Sequence, residues 1–145
     1  MGIGEAVYVG VLRTHERLYV ASDGRVGHGM LGVTTLLLRT TGRRSGATRT
    51  NALVYAKDGD DYLVVASNGG ADKAPGWYFN VRDKPDVEIQ IGRSRQPATA
   101  RVLQPSDPDF DRLWKIVNEN NHDRYDGYQK MTSRPIPIVA LTPRA

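Results

Sequence analysis

The sequence contains no cysteine. This absence excludes disulfide bonds, thiolate metal ligands and a cysteine nucleophile, and it is typical of a protein of the reducing cytoplasm. No apolar stretch approaches the ~18 residues that a membrane-spanning helix requires. The N-terminal segment also lacks a basic start followed by a sustained apolar run, so we expect no secretory signal.

Histidine is scarce, and His15, His28 and His122 form no metal-ligand spacing with one another or with carboxylates. We therefore expect no metal site. No GxSxG element or catalytic triad pattern is present, and the carboxylate pair Asp60–Asp61 lies in a predicted turn. Because acid–base and nucleophilic machinery is missing, a bound cofactor should carry the chemistry if the protein is an enzyme.

What is present is the composition of one soluble globular domain. The chain has 145 residues, with 39% hydrophobic and 25% charged side chains. We predict a single domain over residues 1–145. The formal charge of +4 and the pI near 9.5 favour anionic partners. Such partners include nucleic acid, a phosphorylated cofactor and acidic lipid.

Residues 1–30 carry a loose apolar pattern that predicts a helix of uncertain length, ending at Asp23–Gly24. Two interpretations stay open at this point. The apolar face packs into the core, or the helix is an amphipathic element lying on a membrane.

From residue 33 onward, β-branched and alternating apolar residues predict strands. Asp58-Gly59-Asp60 predicts a hairpin turn, and the first three strands should be consecutive and antiparallel. Pro137 should lie at an edge or a bulge, because it cannot donate to a ladder. The fold class is therefore α+β, mainly β: a barrel or curved sheet of about six strands with helices packed outside. The predicted strands span residues 33–40, 48–56, 62–66, 87–91, 97–103 and 136–141.

Three helical features complete the prediction. A short helix over residues 73–82 has Pro75 suited to its first turn. A second helix has Asp107 as its cap and Pro108 at its first position. The apolar stripe of this second helix should face the core. In a third helix, within residues 118–134, Tyr125 and Tyr128 should share one face. The stripe consists of Phe110, Leu113, Trp114 and Val117.

Residues 40–80 carry the functional signal. A turn at 42–46 contains Arg43 and Arg44, and Arg49 and Lys73 add charge on segments that can converge. Arginine binds phosphate through two parallel hydrogen bonds, and glycines let the backbone approach a ligand closely. The pattern therefore suits a flat, phosphorylated anion. The alternative is a solvated basic hairpin turn.

Two further elements admit both a functional and a structural interpretation. The loop 67–70 offers a polar shelf of N–H groups and the Ser67 hydroxyl, or is an ordinary strand-to-helix connection. Tyr125 and Tyr128 either form a lid over a flat substrate or are half-buried residues whose hydroxyl groups are exposed to solvent.

The ordered motifs closely resemble the deazaflavin-dependent nitroreductase and quinone reductase family over residues 33–143. The resemblance rests on Arg43-Arg44-Ser45-Gly46, Arg49-Thr50-Asn51, Ala66-Ser67-Asn68-Gly69-Gly70, Pro75-Gly76-Trp77-Tyr78-Phe79-Asn80 and Tyr125-Asp126-Gly127-Tyr128-Gln129.

The resemblance implies a split β-barrel of the flavin-reductase type. It also implies hydride transfer from reduced coenzyme F420, a deazaflavin with an oligoglutamate tail, to a quinone or a nitroaromatic or nitroimidazole acceptor. Catalytic roles would fall to Ser67, Tyr125 and Tyr128. By the same resemblance, coenzyme contacts would come from Arg43, Arg44, Ser45, Arg49, Thr50, Asn51, Ala52, Leu53, Val65, Ala66, Ser67, Asn68, Lys73, Gly76, Trp77, Tyr78 and Asn80.

The chain departs from the family pattern at a few positions. His122 stands where some members carry tyrosine, and Val54 stands where a member has tyrosine. Both positions bear on acceptor choice. Arg44 replaces a common lysine and should still bind an anion. A coenzyme carrier with little turnover is the alternative function. A basic nucleic-acid-binding barrel is disfavoured, because most aromatic residues lie on helices or loops.

The setting of the reaction is only partly indicated. We expect a cytoplasmic protein without a nucleic-acid partner. A lipophilic quinone would make contact between the N-terminal helix and the inner face of the cell membrane useful. The sequence leaves that contact and the oligomeric state open.

Overall fold

The computed structural model describes residues 34–144, which form one curled antiparallel sheet of seven strands with three α-helices. The predicted N-terminal helix lies outside the described residues. The strands are β1 (Thr35–Thr41), β2 (Thr48–Val54), β3 (Ala56–Asp58), β4 (Asp61–Val65), β5 (Asp86–Ile91), β6 (Ser94–Leu103) and β7 (Ile138–Pro143). The helices are α1 (Gly76–Asp83), α2 (Phe110–Asn120) and α3 (Arg124–Lys130), and a 3₁₀ turn spans Asn68–Gly70.

The strand order β2-β1-β5-β6-β7-β4-β3 explains how the sheet curls. β2 and β3 follow one another in the chain but occupy opposite edges of the sheet. The chain must therefore pass from one edge to the other at Tyr55, whose N–H donates to the Thr34 carbonyl at 3.1 Å. The result is a half-barrel, and the predicted mainly antiparallel β-fold is confirmed.

The prediction of three consecutive antiparallel strands is confirmed for the first two strands and wrong for the third. β2 pairs with β1, whereas β4 pairs with β3 and β7. The predicted strand 48–56 is two strands, because Tyr55 interrupts the ladder where the chain changes edges. The hairpin turn at residues 58–60 is confirmed, since Asp58 pairs with Asp61.

Two apolar clusters cover the two faces of the sheet. Alternate residues of β7 divide between them, with Val139 in the inner cluster and Ile138 in the outer one. The inner cluster packs α1 against the concave face and contains Leu36, Leu38, Ile89, Trp77 and Tyr78. The outer cluster lies under α2 and α3, and the predicted stripe is confirmed because Phe110, Leu113 and Val117 are buried there.

Several boundaries differ from the prediction. α1 begins at Gly76, with Pro75 as its N-cap. A turn precedes α2, so Asp109 rather than Asp107 is the N-cap, and Pro108 lies outside the helix. Pro137 lies at neither an edge nor a bulge. It precedes β7, which is flanked by β6 and β4, and a proline inside that strand would remove a ladder hydrogen bond.

Candidate functional site

A basic cleft of about 940 Å³ opens beside α1. Four segments meet there: the β1–β2 turn, the exposed half of β2, the loop after β4 and the start of α1. The lining consists of Gly42, Arg43, Arg44, Ser45, Thr48, Arg49, Thr50, Asn51, Asn68, Lys73, Ala74, Pro75, Gly76, Trp77 and Asn80.

The β1–β2 turn has a fixed backbone path. The Gly42 N–H donates to the Ala47 carbonyl at 2.7 Å, and the Gly46 N–H donates to the Gly42 carbonyl at 2.9 Å. A Cβ at Gly42 would lie 2.9 Å from the Ser45 Oγ, and Gly46 adopts a positive φ of 72°. Glycine is therefore favoured at both ends of the turn that presents Arg43 and Arg44.

Asn80 ties this turn to α1. Its Oδ1 accepts from the Arg43 backbone N–H at 3.1 Å, and its Nδ2 donates to the Thr40 Oγ1 at 3.0 Å. The side chain is only 8% exposed. Asn80 lines the cleft, but its amide is occupied in holding Arg43 at the cleft mouth.

The electrostatic character of the cleft comes from Arg43, Arg44, Arg49 and Lys73. Within residues 34–144, none of these four cations has a carboxylate oxygen within 4.0 Å. The cleft lining also contains no Asp or Glu. Arg43 lies over the Phe79 ring at 5.1 Å, a contact that leaves its charge uncompensated. Uncompensated positive charge in a concave site attracts and concentrates anions.

The loop after β4 completes one wall. Asn68, Gly69 and Gly70 have φ values of 46°, 63° and 84°, and the Asn68 Nδ2 donates to the Lys73 carbonyl at 3.1 Å. Gly70 cannot carry a side chain, because a Cβ there would lie 2.9 Å from the Tyr128 carbonyl. The loop is therefore pressed against the C-terminal half of α3.

Many of the predicted site residues meet in the cleft, and others do not. Ala52 and Leu53 lie further along β2, outside the cleft lining. Ser67, which precedes the lining residue Asn68 in the chain, is buried and is also outside the lining. The inner cluster takes up Ala66 and Tyr78, while the outer cluster takes up Val65. The lining includes the predicted Arg43, Arg44, Ser45, Arg49, Thr50, Asn51, Asn68, Lys73, Gly76, Trp77 and Asn80.

Tyr125 and Tyr128 do share a face of α3, but that face belongs to the outer cluster. Tyr125 is 5% exposed and packs against Trp114, and Tyr128 is half-buried with its ring 6.1 Å from that of Tyr125. Their helix contacts the loop after β4 at Gly70, which is itself outside the cleft lining. Neither ring belongs to the cleft lining.

Three lining residues were missed from the sequence: Thr48, Ala74 and Pro75. Thr48 belongs to the same hairpin as the arginines, so its place in that hairpin was a usable signal. Ala74 and Pro75 precede α1. Their approach to the hairpin is a tertiary contact without a local signature.

Within residues 34–144 there is no group of three or more His, Cys, Asp or Glu side chains that could hold a metal ion. Over the same residues, none of the helices is long and apolar enough to cross a bilayer.

The curled sheet with α1 on its concave face defines the class: the protein is a split β-barrel of the flavin-reductase type. HutZ, the heme storage protein of Vibrio cholerae, shares this fold with a TM-score of 0.62 at 13% identity, covering 88% of this chain and 89% of that chain. A solved F420-H2 dependent reductase, FDR-A, matches with a TM-score of 0.66 at 37% identity, covering 74% of this chain and 92% of that chain.

Within that class the family is also shown. The family model described as F420H(2)-dependent quinone reductase matches residues 11–143. A curated quinone reductase of Mycobacterium tuberculosis with the same description is 53% identical over 139 residues, which cover 95% of this chain and 93% of that protein. The chain belongs to this family of reductases, and the predicted family, enzyme class and coenzyme are confirmed.

Proposed function

We propose that this chain transfers a hydride from reduced coenzyme F420 to a quinone, and that the basic cleft holds the anionic part of the coenzyme. The observation that carries the proposal is the convergence of Arg43, Arg44, Arg49 and Lys73 on one cleft free of carboxylates. The cleft volume of about 940 Å³ also suits a large cofactor, since ligand sites span roughly 300–1,000 Å³.

The residues present fit a phosphate and a row of carboxylates. Guanidinium groups bind such anions through two parallel hydrogen bonds, roughly twice as strong as neutral ones. The Thr48 and Thr50 side chains belong to the same lining and add hydroxyl donors. We assign Arg43, Arg44, Arg49 and Lys73 to affinity, because they belong to an exposed turn and strand and to an exposed loop.

Reduction of a quinone takes up one hydride and one proton, and bound reduced F420 supplies the hydride. The chain contributes the positioning of donor and acceptor, which can supply several kcal/mol of the barrier. Trp77, buried in the inner cluster and part of the lining, offers the flat apolar wall of the cleft. We propose that Leu53, Ala66 and Tyr78 back this wall from the inner cluster.

Hydrogen-bond donors near the acceptor oxygen are the remaining requirement. We propose Ser67, which adjoins the cleft residue Asn68, and Tyr128, whose backbone contacts the loop at Gly70. Tyr128 is half-buried and so is better placed than Tyr125 to meet a substrate. The role that we assign to Tyr125 is to support the Tyr128 ring.

Titration with oxidised F420, followed through its intrinsic fluorescence, tests the binding step. We expect saturable binding that flavin mononucleotide competes for only weakly, because it lacks the oligoglutamate tail. Binding of flavin mononucleotide alone would refute the cofactor assignment for this chain.

Stopped-flow oxidation of reduced F420 with menadione tests the reaction. We expect a rate well above the protein-free rate. Binding without acceleration would instead establish a coenzyme carrier. A panel containing nitroaromatic and bicyclic nitroimidazole acceptors would then show whether His122 and Val54 are compatible with those substrates.

A further inference from the structure

Arg134, in the connection between α3 and β7, brackets the loop after β4. Its Nη2 donates to the carbonyls of Ala66 at 3.2 Å and Ser67 at 2.9 Å, and its Nε donates to the carbonyl of Ala71 at 2.8 Å. One guanidinium thus joins both ends of the 3₁₀ turn at residues 68–70.

The bracketed loop has an unusual backbone. Ser67 is in the right-handed helical region, with φ −79° and ψ −34°, whereas Asn68 has a φ of 46°. Such a right-to-left succession makes a concave nest of N–H groups that binds anionic or partly negative oxygens. Among the hydrogen bonds of residues 34–144, none uses the N–H of Ser67, Asn68 or Gly69.

The direction of two of these N–H groups follows from covalent geometry. In a trans peptide the C=O and the following N–H point in opposite directions, and this structure contains no cis peptide within the described residues. Since the Ala66 and Ser67 carbonyls point at Arg134, the N–H groups of Ser67 and Asn68 point away from it. Asn68, which carries one of them, lines the basic cleft.

A cation on the carbonyl oxygen also strengthens the donor at the other end of the peptide, because hydrogen bonds in a chain polarise one another. Burial lowers the pKa of Arg134, and the charge of Asp72 opposes that change. The Thr132 Oγ1 donates to the Asp72 Oδ1 at 2.8 Å, so the α3–β7 connection is hydrogen-bonded to the loop after β4 at a second position.

We propose that Arg134 is a positioning residue that aims and polarises the backbone N–H groups of Ser67 and Asn68 toward an oxygen of the bound coenzyme or quinone. The inference rests on the proposed function. Gln129 links Arg134 to α3, since its Nε2 donates to the Arg134 carbonyl at 2.8 Å and its Oε1 accepts from the Ile136 N–H at 2.9 Å. Arg134 therefore fixes the loop relative to the helix that carries Tyr128.

The test compares Arg134→Ala and Arg134→Lys with Arg112→Ala. Arg112 is the control, because its guanidinium also donates hydrogen bonds, two of them to Asp58, but it lies on α2 and outside the cleft lining. Loss of a hydrogen-bond partner that orients a metal ligand typically costs about 10–100-fold in affinity or activity. By analogy, we expect a loss of about 10-fold for Arg134→Ala, since Arg134 also acts through another group. Arg134→Lys should recover part of the loss, since it restores the charge without the fork.

The readouts separate positioning from folding and one recipient oxygen from the other. A weaker Kd for oxidised F420 at unchanged kcat identifies a coenzyme oxygen as the recipient. A lower kcat at saturating coenzyme identifies the quinone oxygen. In either case, guanidinium ion at low millimolar, non-denaturing concentration should restore Arg134→Ala, whereas ammonium chloride at equal ionic strength should not.

Kd and kcat of Arg134→Ala equal to those of Arg112→Ala would overturn the proposal, as would a loss that tracks Tm alone without guanidinium rescue. If Arg134→Ala fails to fold, the comparison of Arg134→Lys with Arg112→Lys decides in the same way. Failure of the unaltered protein to bind or oxidise reduced F420 would instead refute the proposed function.

Discussion

Replacing Arg44 by alanine tests whether the arginine turn binds the coenzyme. Arg44 is exposed, lines the cleft and has no ion pair within residues 34–144. Its loss should therefore leave the free energy of unfolding within about 0.5 kcal/mol of the original value. Any change in coenzyme binding can then be assigned to the ligand contact.

The size of that change follows from the type of contact. A hydrogen bond to a charged partner contributes about 1.5–3 kcal/mol. Because 1.4 kcal/mol corresponds to a tenfold change in Kd, Arg44→Ala should raise the Kd for oxidised F420 at least about tenfold. The kcat at saturating coenzyme should change little, since Arg44 is assigned to the anionic part of the coenzyme and not to the reacting atoms.

The assay is fluorescence titration with oxidised F420 at several salt concentrations. The variant should also bind with a weaker salt dependence, because exposed charges act through a screened field. Arg93→Ala is the matched control: Arg93 is an exposed arginine of the β5–β6 hairpin turn, outside the cleft lining. An unchanged Kd in Arg44→Ala, or an equal shift in Arg93→Ala, would remove Arg44 from the binding site.

Three further predictions concern the framework of the cleft. Asn80→Ala should lower the free energy of unfolding by about 1–3 kcal/mol in denaturant titrations, because it removes the buried partner of Arg43 and Thr40, and it should also weaken F420 binding. Gly70→Ala should lower Tm, because Gly70 has a positive φ and an added Cβ would contact the Tyr128 carbonyl. Gly127→Ala, at an open position of α3, should leave Tm unchanged or raise it. Equal changes in Tm for the two variants would contradict the loop geometry. Leu113→Ala should cost about 2–5 kcal/mol by leaving a cavity under α2, and a cost below 1 kcal/mol would show that this cluster is loosely packed.

Local patterns were sufficient for most elements of this fold. β5 alternates apolar and polar side chains, and its apolar residues Val87 and Ile89 are buried, although Gln90 on the other face is buried as well. The spacing of Phe110, Leu113 and Val117 gave the buried face of α2. Both are properties of a short segment packing against a flat apolar surface, so the period of the sequence carries them.

The passage between sheet edges at Tyr55 could not be predicted in this way. Residues 48–58 contain no glycine or proline, and their pattern favours one continuous strand. The interruption depends on distant groups: the Tyr55 carbonyl accepts from Thr34 Oγ1 at 3.2 Å and from Asn120 Nδ2 at 2.9 Å. Such tertiary contacts override local strand preference.

The candidate site also has features that local sequence patterns predict and features that depend on tertiary contacts. The arginine turn was predictable because a turn with two adjacent arginines and flanking glycines is a local pattern. The role of Asn80 was not, since the sequence gives no sign that its amide reaches the Arg43 backbone across 37 positions. The contacts of Arg134 with the loop after β4 are longer still in sequence, spanning 63 to 68 positions.

The fold alone does not choose the cofactor, because a heme storage protein shares it at 13% identity. What the fold provides is a concave face on which a helix and two loops meet beside a sheet edge. The chain adds positive charge at this place, with four cations that no carboxylate within residues 34–144 neutralises. Exposed cations without internal partners contribute little to folding, so their convergence in a cleft is better explained by an anionic ligand than by stability.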